Sequence, residues 1–271
     1  SRIQAGNGQT VTLTNCPTTG PFQIFDVSLG GHISLPRNCS GYIDWYGVIG
    51  DGTVTSGAGT DNCTALREAG KYMQLINVLP GAYRSSCAWV LEISGQQVMC
   101  QGSSLANDKS TTTKPYGAAI FMFTGATSGI DIYKASTKLY GVTVDNCQVA
   151  TTNASGNSAI ILDYDAGGSI CEKCTISRNY VTTYAPGVWI SGIRTVVSES
   201  STISENRIYN EISGVGLICG QGAASSTHMR FVHNLVGALQ AGAKTFEGNS
   251  CQDFEVDQDY YQGAYTLSLI H

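Results

Sequence analysis

The sequence has few charged residues and no long apolar run, and each shortage excludes a class of protein. Only 13% of its 271 residues are charged, and the formal net charge is −5. A nucleic-acid-binding protein needs a stripe of Lys and Arg that contacts phosphates, and the sequence has none. No apolar run reaches the roughly 18 residues of a membrane span. We therefore expect neither a nucleic-acid partner nor insertion into a membrane.

Several motifs of catalysis and ligand binding are also missing. The four His residues are scattered, and the absence of a Gly-x-Ser-x-Gly sequence disfavours esterase chemistry. The Gly-Asp-Gly at residues 50–52 is followed by no Lys-Ser/Thr pair, so it predicts a tight turn rather than a phosphate loop. The acidic and aromatic segment 253–262 could bind sugars or Ca²⁺, but it lacks the ligand spacing of a calcium loop. The sequence thus indicates no cofactor and no metal.

The ten cysteines allow two opposed interpretations. They could form a disulfide framework, but a chain of this length does not need one to be stable. Cys171 and Cys174 form a Cys-x-x-Cys pair, yet no second pair and no paired His lies at the spacing of a zinc site. We therefore expect free thiols that act as small apolar fillers, in a protein that folds in a reducing cytoplasm.

Repetition is the dominant feature of the second half. The stretches 141–162, 174–190, 201–218 and 229–246 each contain a short strand pattern, a turn with Asn, a polar excursion and a second short apolar strand. The repeated residues are Asn146, Asn179, Asn206 and Asn234, spaced by 33, 27 and 28 positions. One copy cannot bury its apolar side alone, whereas stacked copies can. The predicted fold class is all-β, a parallel β-helix with stacked Asn side chains in left-handed turns.

The first part of the chain lacks these repeats. Residues 1–42 predict a lead-in β segment, and residues 43–271 predict the β-helix. The best helix candidate covers about 61–73, with Asp61 as its cap and with Leu66, Ala69 and Met73 on one side. Coils are expected over about 75–271. The chain stops in mid-strand, so we expect a fragment that is truncated at its C-terminus.

The order of motifs in residues 45–104 carries a family resemblance. WYGVIGDG is followed by TDNCTAL, NVLPGAY and VMCQGSS, which is similar to the opening of the pectate-lyase-like right-handed β-helix superfamily. With the preceding FDVSLGG, the chain resembles a bacteriophage tailspike in particular. The resemblance covers roughly 25–104 in motif order and 141–246 in repeat style, and it implies a right-handed helix with a short capping helix. The insertion SGAGT and the short length depart from the family.

The resemblance also implies a function, partners and a location. A tailspike would be a homotrimer on the tail of the virion, folded in the host cytoplasm and joined to other tail proteins through an N-terminal region outside this sequence. It would bind and hydrolyse a bacterial surface polysaccharide, a capsule or an O-antigen, through paired carboxylates. Two alternatives stay open: a receptor-binding or structural spike without activity, and a polysaccharide lyase or epimerase of the same fold.

Candidate catalytic acids follow from the alternation of inward and outward side chains along a strand. Asp163 and Asp165 share a face if their strand continues, at about 6.5–7 Å, a separation that suits an inverting glycosidase. Their alternative role is structural, at a strand end before a Gly-Gly turn. A second outward column comprises Asp145, Arg178, Glu205 and His233. In it Asp145 and Glu205 would lie about 10 Å apart, and ion pairing on a solvated wall would explain the column equally well.

The same alternation predicts the substrate-binding residues. If Val188 and Ile190 point inward, Trp189 and Ser191 point outward. The resulting apolar outer column comprises Ile161, Trp189, Leu217 and Thr245. Such a column is typical of an interface, and Trp189 is also a candidate platform for stacking sugars. The neighbouring column comprises Asp163, Ser191, Cys219 and Glu247. Lys244 would face inward in this register, which predicts a bulge or an alignment error of one residue. The predicted substrate-binding residues are Trp189, Arg178, Tyr164 and Glu247.

Overall fold

A computed structural model describes residues 2–54, 56–102, 117–162, 170–184, 186–209, 212–220, 226–237, 240–248, 250–262 and 268–269. Its short strands stack into four long sheets in which every strand pair is parallel. The chain is an all-β, right-handed parallel β-helix. The predicted fold class is therefore confirmed.

The four sheets are numbered here in the order in which one coil meets them. Sheet I contains Ser40–Tyr42, Leu75–Val78, Gln97–Cys100, Thr143–Asp145, Thr175–Ser177, Thr202–Ser204, Arg230–Val232 and Glu255–Asp257. Sheet II contains Gly81–Ser85, Ala119–Phe123, Gln148–Thr151, Tyr180–Thr183, Arg207–Tyr209, Leu235–Gly237 and Tyr260–Gln262. Sheet III contains Trp89–Leu91, Ile130–Ile132, Gly156–Leu162, Trp189–Thr195, Ile212–Cys219, Lys244–Gly248 and Ser268–Leu269. Sheet IV contains Lys138–Tyr140, Ile170–Glu172, Ser198–Glu199, Ser226–Thr227 and Cys251–Gln252.

The core is a set of apolar columns that run through successive coils. In sheet I the central residues of four strands stack in register and are fully buried; they are Val144, Ile176, Ile203 and Phe231. In sheet II the equivalent column comprises Val149, Val181, Ile208 and Val236. Burying each such side chain stabilises the fold by about 1.5–3 kcal/mol. The period-two apolar pattern of the repeats therefore places one apolar side chain of each strand in the core of the β-helix.

The lead-in residues form two small parallel pairs before the first coil. Ile3–Gln4 pairs with Phe25–Asp26, and Thr10–Thr12 pairs with His32–Ser34. The strand Ser40–Tyr42 then joins sheet I beside Leu75–Val78. A 3-10 helix follows at Ile43–Tyr46. The lead-in and the first coil therefore share a sheet.

An α-helix at Cys63–Tyr72 packs against the first strand of sheet III. Its predicted inner residues Leu66 and Ala69, and Met73 just after it, are fully buried. Asp61 Oδ1 accepts hydrogen bonds from the backbone N–H of Cys63 at 3.2 Å and of Ser86 at 3.0 Å, so it ties the helix start to a coil. The helix lies within the predicted range of about 61–73, but its N-cap residue is Asn62 rather than Asp61. No helix in the described part of the chain is long and apolar enough for a membrane span.

The prediction of free thiols is wrong, because all ten cysteines are paired in disulfides. The pairs are Cys16–Cys39, Cys63–Cys87, Cys100–Cys147, Cys171–Cys174 and Cys219–Cys251. Apart from the short Cys-x-x-Cys pair, the partners lie 23 to 47 residues apart in sequence, and all partner Cα atoms lie 5.0–6.0 Å apart. Stacking of neighbouring coils brings Cys100 to Cys147 and Cys219 to Cys251. The pair Cys16–Cys39 lies in the lead-in segment, and Cys63–Cys87 joins the α-helix to a coil. Sequence spacing judged without that stacking could not reveal the pairs.

Candidate functional site

The corner between sheets I and II is built by a turn that repeats from coil to coil. The first residue of this turn has a left-handed backbone in five coils, with φ of 59° at Asn146, 55° at Arg178, 56° at Glu205, 58° at His233 and 52° at Gln258. The residues that follow are Cys147, Asn179, Asn206, Asn234 and Asp259. The predicted alignment is therefore wrong by one residue in its first repeat. Asn146 stacks with Arg178, and Cys147 takes the place of the repeated Asn.

Buried Asn side chains form a hydrogen-bonded ladder behind this turn. Asn206 Oδ1 accepts from the backbone N–H and from Nδ2 of Asn179, each at 3.0 Å. Asn206 Nδ2 donates to the carbonyl of Ile176 at 2.8 Å and to Asn234 Oδ1 at 3.0 Å. The predicted Asn stack is thus confirmed, but the left-handed residue is the one before each Asn of the ladder. The ladder fixes the corner, and the left-handed residues before it project outward.

An open groove of about 410 Å³ lies along the outside of this corner. Its charged, aromatic and amide side chains come from successive coils and include Arg178, Glu205, Arg207, His233, Gln258 and Tyr260. Each coil advances the groove by about 4.8 Å along the helix axis. A groove that crosses several coils in this way suits an extended polymer better than a compact ligand.

Arg178 is held at one end of the groove by Asp145. Its Nε donates to Asp145 Oδ1 at 2.9 Å, its Nη2 forms a short ion pair with Asp145 Oδ2, and the Ser177 hydroxyl donates to Oδ1 at 2.7 Å. The hydrogen bond from Asp145, its charge and then the charge of Glu205 raise the pKa of Arg178. The pair fixes the guanidinium while leaving more than half of the Arg178 side chain exposed.

The predicted position and role of Asp145 need correction. In register it stacks on Ser177 and Ser204, one position before the left-handed column of Arg178, Glu205 and His233. The residue is 3% exposed. A buried carboxylate that accepts these hydrogen bonds is not placed to exchange a proton with a sugar. We therefore assign Asp145 the role of positioning Arg178.

Glu205 and His233 are exposed in the groove, in the column predicted for them. The Nε2 atom of His233 lies 2.8 Å from Oε1 of Gln258. No ion pair within 4.0 Å joins Glu205 to another described residue. Glu205 is therefore the described carboxylate of the groove that is open to a ligand.

Arg207 and Tyr260 line the side of the groove formed by sheet II. The sequence interpretation missed Arg207, and it included Tyr260 only as part of the segment 253–262 that could bind sugars. Both residues occupy a register column that comprises Tyr180, Arg207, Leu235 and Tyr260. Tyr260 is 60% exposed, and the rings of Tyr180 and Tyr209 lie 6.3 Å apart. Burial raises the pKa of the Tyr180 hydroxyl. The signal for this column was the residue directly after each ladder position, which carries Tyr or Arg in three of four coils.

Trp189 does not lie on the outer wall, so the prediction that it points outward is wrong. The residue is 0% exposed, and its indole N–H donates to the carbonyl of Thr182 at 2.8 Å. Ile190 is 54% exposed instead, and Ser191 is buried. Because side chains alternate with a period of two, a one-residue error in the strand start inverts every assignment. An irregular register between Trp189 and Ser191 adds to the error.

The predicted outer columns on sheet III change accordingly. Leu217 and Cys219 are buried, and Phe246 rather than Lys244 enters the core. The actual column beside the core comprises Ile161, Arg194, Ile218 and Glu247. The carboxylate of Glu247 pairs with Lys244 at 3.1 Å on this sheet, away from the lining of the groove. The predicted apolar interface column is therefore wrong.

Three predicted site residues, Asp163, Tyr164 and Asp165, lie outside the described residues. Among the residues that the structure does describe, no group of three His, Cys, Asp or Glu side chains is arranged to hold a metal ion.

The comparison with protein families agrees with this architecture. The family model described as a right-handed beta helix region matches residues 101–251. Among solved structures, the surface protein and adhesin PfbA of Streptococcus pneumoniae is similar over 82% of this chain and 97% of that chain, with 9% sequence identity and a TM-score of 0.24. That similarity is too low to support an argument about function. No curated protein matches the sequence.

Proposed function

Because the chain belongs to the right-handed β-helix family, we propose that it binds a bacterial surface polysaccharide along the groove and cleaves it. The fold is typical of proteins that bind or degrade polysaccharides and of adhesins, and the family includes glycosidases and lyases. The observation that carries the proposal is the groove itself, with Arg178, Glu205, Arg207, His233 and Tyr260 on successive coils. Exposed tyrosine supplies an apolar face with a polar tip, a surface that suits a sugar ring.

Cleavage in the groove would depend on Glu205. As the open carboxylate it can give a proton to the leaving glycosidic oxygen or take one from water. The Asp163 and Asp165 pair remains the second proposal for the catalytic acids. Leu162, directly before that pair, ends a strand of sheet III, whereas the groove follows the corner between sheets I and II. The two sets of acids can therefore be tested separately.

Replacing Glu205 with Gln is expected to lower the initial rate of depolymerisation by about 100-fold or more while polymer binding persists. The assay incubates the protein with a panel of capsular polysaccharides and O-antigens and sizes the products by chromatography. Glu255→Gln is the matched control, because Glu255 is an exposed carboxylate that pairs with Arg230 on sheet I at 2.8 Å. Full activity of Glu205→Gln would reject this residue, and full activity of a variant with Asp163→Asn and Asp165→Asn would reject that pair.

A binding protein without activity is the second candidate, and one observation favours it. Hydrolysis uses two carboxyl groups, and in the described lining of the groove Glu205 is the open one. Binding of a polysaccharide with no change in its length would support this candidate. Shortened products that absorb ultraviolet light, as unsaturated sugars do, would indicate a lyase instead.

The tailspike form of the proposal adds a homotrimer, attachment to other tail proteins and a place in a virion. The five disulfides bear on its location. Disulfides persist in oxidising compartments and outside cells, and they are rare in a reducing cytoplasm. The expectation of a reducing cytoplasm that was based on free thiols therefore no longer holds. We propose instead that the disulfides form outside the cytoplasm, also in the tailspike form of the proposal, in which they would form after folding in the host.

A further inference from the structure

Arg207 is a half-buried cation in the groove, and its backbone N–H donates to the carbonyl of Asn179 at 2.8 Å. Its guanidinium has no hydrogen bond or ion pair with another residue in the described part of the chain. In register it lies between Tyr180 and Leu235. Along the chain it begins the strand that ends at Tyr209, two residues after the turn residue Glu205. Removing part of the guanidinium from water without a partner is costly. A ligand group that accepts hydrogen bonds from this guanidinium would offset that free-energy cost.

Several other cations of the chain already have carboxylate partners. Arg178 binds Asp145, Lys138 binds Glu172, Lys244 binds Glu247 and Arg230 binds Glu255. The chain as a whole is acidic, with a net charge of −5. The positive charge of Arg207 is therefore available to a ligand in the groove, whereas those of the other four cations are neutralised by carboxylates of the chain. The same groove also contains the guanidinium of Arg178, which Asp145 already neutralises, the carboxylate of Glu205 and the imidazole of His233. The exposed ring of Tyr260 lies two coils further along the groove.

We propose that Arg207 binds a carboxylate on the sugar repeat, so that the polysaccharide in the groove is an acidic one. This inference rests on the proposed function, since it names the substrate class for the same groove. A guanidinium presents parallel N–H donors that match the two oxygens of a carboxylate. Its half-buried position makes this interaction stronger than one at an open surface, because the surrounding dielectric is lower. The ring of Tyr260 then contacts the apolar face of a sugar along the same groove.

The test measures the affinity of the intact chain for matched polymers by affinity electrophoresis. The acidic probes are polygalacturonate, alginate and hyaluronan, and each is compared with its own carboxyl-reduced form. Dextran, which is neutral, is compared with dextran sulfate, which carries sulfate in place of carboxylate. We expect at least one acidic polymer to bind, and its carboxyl-reduced form to bind about tenfold more weakly or worse. Arg207→Gln should lose a similar factor for the acidic polymer only. The affinity of Arg207→Lys for the acidic polymer should lie between those of the unmodified chain and of Arg207→Gln, because Lys keeps the charge but not the paired donors.

Arg230→Gln is the control, since it removes the same charge from an exposed Arg that already pairs with Glu255. Its affinity should stay within about twofold of the unmodified chain, because a surface ion pair contributes little. Equal binding of a polymer and its reduced form, or equal losses in the Arg207→Gln and Arg230→Gln variants, would overturn the inference and leave glycan binding intact. Preference for dextran sulfate over every carboxylate would overturn the carboxylate assignment. Failure of every polymer, acidic or neutral, to bind would overturn the proposed function as well.

Discussion

Replacing Asn206 with Ala is expected to lower the free energy of unfolding by about 3–5 kcal/mol. The side chain is fully buried and forms four hydrogen bonds in the ladder, with Asn179, Ile176 and Asn234. Its removal leaves several buried donors and acceptors without partners, and each such group costs about 1–3 kcal/mol. The midpoint and slope of urea unfolding measure the loss.

Ser204→Ala supplies the comparison for the ladder prediction. Ser204 lies two residues earlier in the same coil and is half-buried on the outer wall of sheet I. Its replacement should change the unfolding free energy by no more than about 0.5 kcal/mol. If both variants lost the same amount of stability, the ladder would not be what holds the corner. If Asn206→Ala bound polysaccharide more weakly and Ser204→Ala did not, the ladder would also be needed to shape the groove.

Removing the Cys100–Cys147 disulfide is expected to cost about 4 kcal/mol of stability. The two residues are 47 positions apart, so the bond restricts a long loop in the unfolded chain and lowers its entropy. The variant replaces both cysteines with Ala, because Ala leaves no buried hydroxyl behind. Thermal unfolding of the oxidised protein, followed by circular dichroism, measures the change.

The Cys171–Cys174 disulfide is the internal control for this second prediction. These residues are only three positions apart and are also buried, so the same substitution opens a far shorter loop. The expected loss is about 1.6 kcal/mol. Equal losses for the two pairs would contradict the loop-entropy argument. Unchanged stability in both variants would contradict the assignment of the disulfides as stabilising elements.

Much of the fold could be predicted from the sequence because it depends on repetition. A period-two apolar pattern such as Thr175–Ser177, repeated at Thr202–Ser204, buries Ile176 and Ile203 in register. That pattern and the spacing of Asn179 and Asn206 are both visible in the letters alone. The long-range disulfides were not predictable in the same way, because partners such as Cys100 and Cys147 lie far apart in sequence and meet only in the folded chain.

The site was harder to predict, since it depends on which of two successive side chains in a strand points inward, and the repeats alone do not determine this. Trp189 and Ile190 differ by one position, and the sequence alone gave no reason to place the larger side chain inside. The structure places Trp189 inside because its indole N–H finds the Thr182 carbonyl there. Arg178, Glu205 and His233 were predicted together because they precede the repeated Asn, a feature that is independent of strand parity. Arg207 follows the repeated Asn and was overlooked.

The central claim is that the corner between sheets I and II is where the polysaccharide binds. A crystal structure of the chain with an oligosaccharide taken from a polymer that it binds tests this claim most directly. We expect the sugars to run along the helix axis over several coils, with contacts to Arg178, Arg207 and Tyr260. Sugars bound on the wall of Arg194 and Glu247, with an empty groove, would contradict the account.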